Sequence, residues 1–221
     1  MQQVHEESGW PHAIVAAADL FSEDAPDLFA AQAAASPLMR GIRLQLHWHP
    51  DEQYRFASAP DRMNDPVLRR NVARLAERGW VFELQVFSNQ MADAARFVAA
   101  LPEVQFVLVH SGMLESAEEA DVEPWTEGMQ RLAELPNLAT KLTGQGTFVH
   151  RVDPDLIRLV ADACLEWFGA DRCMWGSNFP VESLWTDYGS LMDAWRQALS
   201  GRSEAVRAAV FGGTAERVYR L

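Results

Sequence analysis

The chain has 221 residues, 48% of them hydrophobic, with a formal net charge of −12. That length buries one sizeable core, and the acidic balance excludes a nucleic-acid surface, which needs a basic face. No run of about 18 apolar residues is present, and the opening "MQQVHEESGWPH" has no basic end followed by an apolar stretch, so the reading is a cytoplasmic protein without a membrane span or secretory leader. Cys164 and Cys173 are the only cysteines; without a partner pair they form neither a zinc ribbon nor a disulfide framework, and read as reduced core residues.

In chain order, the N-terminal "QQVHEESGWPH" reads as the tail of a helix. Strand-like "AIVAAADL" (13–20) is followed by helical "EDAPDLFAAQAAAS". "LMRGIRLQL" (38–46) is the next strand, and 65–79 places Val67, Leu68, Val72 and Leu75 at helical spacing with Gly79 as a stop. Strand 80–87 precedes helix 89–101, strand 104–112 precedes helix 124–135, and strand 137–144 precedes helix 153–169, which an Asp cap and Pro open. The last strand spans 172–180, and helical segments run to the end. No linker or low-complexity tract interrupts the pattern, which predicts one domain over 1–221.

Strict alternation of strand and helix predicts an all-parallel α/β sheet, either an open doubly wound sheet or a (β/α) barrel. Both put their sites at the strand C-termini, where the loops 47–64, 111–123, 143–152 and 177–187 are long and polar. No G-x-G-x-x-G follows a strand, which favours the barrel and argues against a nucleotide cofactor. A closed barrel has eight strands and about 250 residues. Only six strand–helix units are visible here, so two units are expected to be missing from the front.

Alternate strand residues share a face. This groups Arg43, Gln45, His47 and His49; Glu83 with Gln85; Phe106, Leu108 and His110; Lys141 with Thr143; and Met174 and Gly176 with Asn178. Buried polar groups are costly unless paired, so a collection of them at one end of several strands points to a site. Each also has a plain structural reading. His110 can be a packed imidazole, Asn178 can shape the turn before Pro180, Lys141 can reach solvent, and Arg43 can pair with a carboxylate. His47 and His49 can sit exposed on an irregular loop. No Ser-His-Asp order or G-x-S-x-G elbow is present.

The pieces "MRGIR", "FELQVF", "FVLVHSGM", "PNLATKLTG", "FGADRCMWGSNFPVESLWTDYGSL" and "FGGTAERVYRL" resemble, in order, the amidohydrolase-related (amidohydrolase 2) family of TIM-barrel hydrolases. The branch resembled is that of sugar-lactone and dicarboxylate-lactone hydrolases. The resemblance implies a (β/α)8 barrel whose first two units are absent. It places His110 at the sixth-strand histidine position and Asn178 where many members carry Asp. The family's first-strand His-x-His would precede Met1, so His47-x-His49, after the fourth strand, is not that motif.

The expected activity is hydrolysis of the ester C–O bond of a sugar-acid or small-acid lactone. His110 and Asn178 are the catalytic candidates, with His110 a base or carbonyl polariser of near-neutral pKa. Arg43, Gln45, His47, His49, Gln85 and Lys141 are the substrate-binding candidates. A divalent metal such as zinc is compatible with the family, with His110 the only good ligand. The expected partner is a small anionic substrate, and the open sheet edges leave a homo-oligomer open. The alternatives are an inactive truncated barrel or small-acid-binding module, and a decarboxylase of the same family.

Overall fold

The computed structural model describes residues 1–221. Its six strands are β1 (Ile14–Ala17), β2 (Met39–Gln45), β3 (Val81–Gln85), β4 (Phe106–Leu108), β5 (Leu138–Leu142) and β6 (Cys173–Trp175). All neighbours are parallel and the spatial order is the chain order, β1 to β6. A doubly wound sheet reverses its order at a switch point. Here no reversal occurs, so every crossover turns the same way and the strands form a TIM-barrel-like wall. β1 and β6 are not paired with each other, so the wall is incomplete across the described residues.

The helices are α1 (Gln2–Ser8), α2 (Ala25–Ala35), α3 (Pro66–Ala73), α4 (Met91–Ala99), α5 (Glu119–Ala133), α6 (Gly146–Val149), α7 (Pro154–Phe168), α8 (Tyr188–Ala198), α9 (Glu204–Ala208) and α10 (Thr214–Tyr219). Their starts follow local chemistry. Asp65 caps α3 through the Val67 and Leu68 amides, Asp153 caps α7 through Asp155 and Leu156, and both helices carry Pro in the first turn. α5 begins ahead of the predicted start and holds Pro124 inside it. No helix is long and apolar enough to cross a membrane.

Two apolar layers fix which face of the wall is which. The larger contains Ile42, Phe82, Leu84, Phe106, Leu108, Leu138 and Cys173 packed beneath the helices. The smaller contains Val81, Val107, Ala139 and Met174 on the inner face, closed by Val218 and Tyr219 of α10. Parallel register then aligns Arg43 with Glu83, Gln45 with Gln85, and Lys141 with Met174 on that inner face.

The predicted grouping of Phe106 and Leu108 with His110 is corrected by this layering. Phe106 and Leu108 face the helices, and strand β4 stops at Leu108. His110 reaches the inner side by a different route, a left-handed turn. The strands predicted at 104–112 and 172–180 are shortened for the same reason, since the backbone turns left-handed at His110 and again at Asn178.

Candidate active site

The strand C-termini surround a cavity of about 510 Å³. Arg43, Gln45, Gln85, His110 and Asn178 line it together with Thr147. Val15, Met113, Phe148 and Val181 give it an apolar side. Of the residues singled out by sequence, the first five therefore converge. Lys141 lies one layer deeper, sharing a smaller cavity with Arg43, Glu83 and Tyr219.

The inner charges divide unevenly. The buried Glu83 carboxylate accepts from Lys141 Nζ at 2.6 Å and from the Tyr219 hydroxyl at 2.6 Å. Burial, followed by the Glu83 charge, pushes the Tyr219 phenol well above its usual range, so it stays a neutral donor. Arg43 has no such carboxylate. Its Nη2 donates to Gln85 Oε1 at 2.5 Å, and the Gln85 amide nitrogen points to Met113 Sδ at 3.1 Å. A half-buried guanidinium paired only with a neutral amide has donors that an anion can use.

His110 stands beside it. The turn that delivers it is left-handed over four residues: φ is 56° at His110, 48° at Ser111, 71° at Gly112 and 54° at Met113. For residues other than glycine this costs about 1–2 kcal/mol each, and such strain gathers at functional sites. Packing holds the turn in place. Ser111 Oγ donates to the Lys141 carbonyl at 2.8 Å, Trp125 Nε1 donates to the Ser111 carbonyl at 2.7 Å, and the Met113 amide returns to the His110 carbonyl at 2.8 Å.

The imidazole Nδ1 lies 2.6 Å from Thr143 Oγ1, and no protein group bonds Nε2. Gly144, at φ 76°, lets this happen, because a Cβ there would sit 2.6 Å from His110 Nδ1. Burial first, then the Arg43, Lys141 and His47 charges, hold the His110 pKa down to about 3. The near-neutral value expected from sequence is thus corrected: the ring stays neutral through the ordinary pH range because it is buried, with the Arg43 and Lys141 cations adding to the effect.

Asn178 is also left-handed, at φ 55°. Its Nδ2 donates to Glu182 Oε1 at 3.3 Å. Neither His47 nor His49 lines the cavity. The His47 ring packs 5.5 Å from Phe56 and 5.9 Å from Phe87, and burial, then Arg43, lowers its pKa to about 4. His49 pairs with Glu115 at 3.3 Å. Both belong to an aromatic roof reached from the cavity through Phe148, whose ring lies 5.7 Å from Phe87.

Sequence reasoning missed Thr147, Phe148, Glu182 and Tyr219. Glu182 lies four residues after Asn178 on a predicted polar loop, which was a usable signal. Tyr219 was not recoverable, since it meets Glu83 across 136 residues of chain.

A family model described as amidohydrolase matches residues 1–221. The chain belongs to the amidohydrolase family. Among its relatives, an L-fucono-1,5-lactonase of Burkholderia ambifaria is 33% identical over 216 residues, covering 95% of this chain and 70% of the relative. An uncharacterized protein of Sinorhizobium fredii, y4mH, is 32% identical over 221 residues, covering 100% of this chain and 74% of that one. A crystal structure of a Burkholderia multivorans amidohydrolase with bound zinc superposes with a TM-score of 0.85 at 27% identity, over 99% of this chain and 77% of that one.

No group of three His, Cys, Asp or Glu side chains converges in this chain. The cavity offers one imidazole among amides, next to a guanidinium that repels cations, whereas zinc sites normally draw on three or four such ligands. The residues present do not fit a zinc ion.

Proposed function

We propose that this amidohydrolase hydrolyses a lactone of a sugar acid or small carboxylic acid at the cavity formed by Arg43, Gln85, His110 and Asn178. The observation that carries the reading is the Arg43 guanidinium, inward-facing and without a carboxylate, beside a neutral imidazole. The lactonase relatives support the reaction class.

Lactone hydrolysis needs an activated water, a polarised carbonyl and a place for developing negative charge. Arg43 supplies the last two, with Gln85 fixing its orientation. In the tautomer that donates Nδ1–H to Thr143 Oγ1, His110 Nε2 is a lone-pair acceptor for a proton of the water. A ring of pKa about 3 is a weak base in the empty cavity. As the carbonyl gains negative charge, it neutralises Arg43, and the main cation depressing the ring is cancelled. The imidazole therefore gains basicity as the transition state forms, which is the differential stabilisation catalysis requires. The ring C–O bond then breaks, the proton held on His110 Nε2 passes to the leaving alkoxide and restores the neutral imidazole, and the new carboxyl group loses its proton to solvent, leaving a hydroxy acid whose carboxylate stays on Arg43 until release.

The test is a panel of sugar and aromatic lactones, followed by proton release, with and without a chelator. We expect turnover of at least one lactone that survives the chelator, and a loss in kcat/KM of about 100-fold or more in Arg43→Gln, the scale of one lost transition-state hydrogen-bond donor. A folded chain that binds hydroxy acids yet opens no lactone would be a small-acid-binding module, and the reading would fall.

A further inference from the structure

Glu182 is a buried carboxylate with no cation partner. It is 1% exposed, lies in the short turn Val181–Leu184, and does not line the main cavity. Its two oxygens have separate duties. Oε1 accepts from Asn178 Nδ2 at 3.3 Å, and Oε2 accepts from Trp185 Nε1 at 2.7 Å. The backbone joins the same residues, since the Glu182 amide donates to the Asn178 carbonyl at 3.2 Å. Gly146 closes the cradle: a Cβ there would lie 2.5 Å from Glu182 Oε2 and 2.8 Å from Trp185 Nε1.

A side-chain amide has one donor end and one acceptor end, and an ionised carboxylate only accepts. Glu182 can therefore bond only the NH₂ end of Asn178. The carbonyl Oδ1 is left for the cavity that Asn178 lines, and no protein group bonds it. We propose that Glu182 is a positioning residue: it fixes the Asn178 amide so that Oδ1 faces the cavity as the acceptor that orients the attacking water. Asn178 cannot take a proton, but in this orientation it offers a water the same acceptor that a carboxylate oxygen would. The inference rests on the lactone-hydrolase reading for its consequence, though not for its geometry.

The donor-only indole makes a sharp test. In Glu182→Gln the single remaining oxygen must face Trp185, because Nε1–H can only donate. The new NH₂ then faces Asn178, whose amide must flip and turn its own NH₂ into the cavity. We expect kcat to fall by about 100-fold with KM within about threefold. Glu182→Gln combined with Trp185→Phe frees the new amide to turn its oxygen to Asn178, and recovers about tenfold or more of the loss. A wild-type kcat in Glu182→Gln, or no recovery in the double variant, overturns the proposal.

Should Glu182→Gln not fold, Asn178→Asp decides. It sets a second carboxylate against Glu182, so the two share a proton, and a new ionisation above the usual carboxylate range enters the pH–rate profile. A profile matching the wild type overturns the proposal. One readout needs no turnover. The Asn178 side-chain NH₂ resonances, identified by their loss in Asn178→Asp, are protected from solvent exchange in the wild type and exposed in Glu182→Gln. Failure of every lactone would thus sink the functional reading alone, whereas equal exchange in both proteins would sink this one.

Discussion

His110→Ala lowers kcat/KM for lactone opening by about 10²–10⁴-fold, the usual contribution of a positioned proton acceptor. The imidazole is the one titratable group in the cavity able to take a proton from water, since Arg43 and the amides of Gln85 and Asn178 cannot. Removing it leaves the Arg43 anion site, so binding of a hydroxy-acid product persists while turnover collapses. His110 sits at φ 56°, a conformation that costs alanine more than asparagine. His110→Asn therefore serves as the companion variant that keeps the turn and still lacks the lone pair of Nε2. Steady-state kinetics together with circular dichroism separate the two effects. Turnover within threefold of wild type in both folded variants would remove the imidazole from the mechanism.

Glu83→Gln destabilises the fold by about 3 kcal/mol, near the lower end of what breaking a buried ion pair costs. The carboxylate is 3% exposed at its side chain while Lys141 keeps 23%, so the stranded ammonium retains some solvent. The substitution nearly conserves volume and can still accept from Tyr219. What it removes is charge. Lys141 and Arg43 then face one inner surface with no anion between them, and the Tyr219 hydrogen bond that anchors α10 is weakened from charge-assisted to neutral. For a domain of this size about 3 kcal/mol lowers Tm by roughly 6–12 °C. Replacing both partners by apolar residues, as in Glu83→Met with Lys141→Met, recovers much of the loss, because no charge is left buried alone. Thermal and denaturant unfolding measure all three proteins. A Glu83→Gln loss below about 1 kcal/mol would mean that the pair is solvent-screened.

The alternation of strands and helices made the parallel wall legible from residues, because a buried parallel strand and an amphipathic helix have different periods. The strand-end rule carried Arg43, Gln45, Gln85 and Asn178 to one cavity for the same reason. His110 arrived at that cavity although the alternation argument put it on the wrong track. Phe106 and Leu108 pack outward, and a run of left-handed residues carries the chain inward. Only Gly112 in "HSGM" announces such a conformation, so the turn was not readable. The pKa of His110 was unreadable too, since it depends first on how deeply the fold buries the ring and then on Arg43 and Lys141 lying close in space rather than in sequence. His47 and His49 illustrate the converse. Their position after the fourth strand sets them apart from the family's metal motif and leaves them as substrate candidates, while beyond Gln45 the strand has ended and the rings pack into an aromatic roof.

A neutral imidazole held next to a guanidinium without a carboxylate partner is the centre of the proposed mechanism, and an NMR titration of the His110 ring tests it most directly. The folded pKa lies below that of an unfolded histidine, so the ring should stay neutral as pH falls through 6.5 and take a proton only near pH 3. Saturating the cavity with a small hydroxy-acid carboxylate should move that value upward, and Arg43→Gln should raise it without any ligand. An imidazole that titrates at its ordinary value, and that ignores both the carboxylate and the loss of Arg43, would contradict the account.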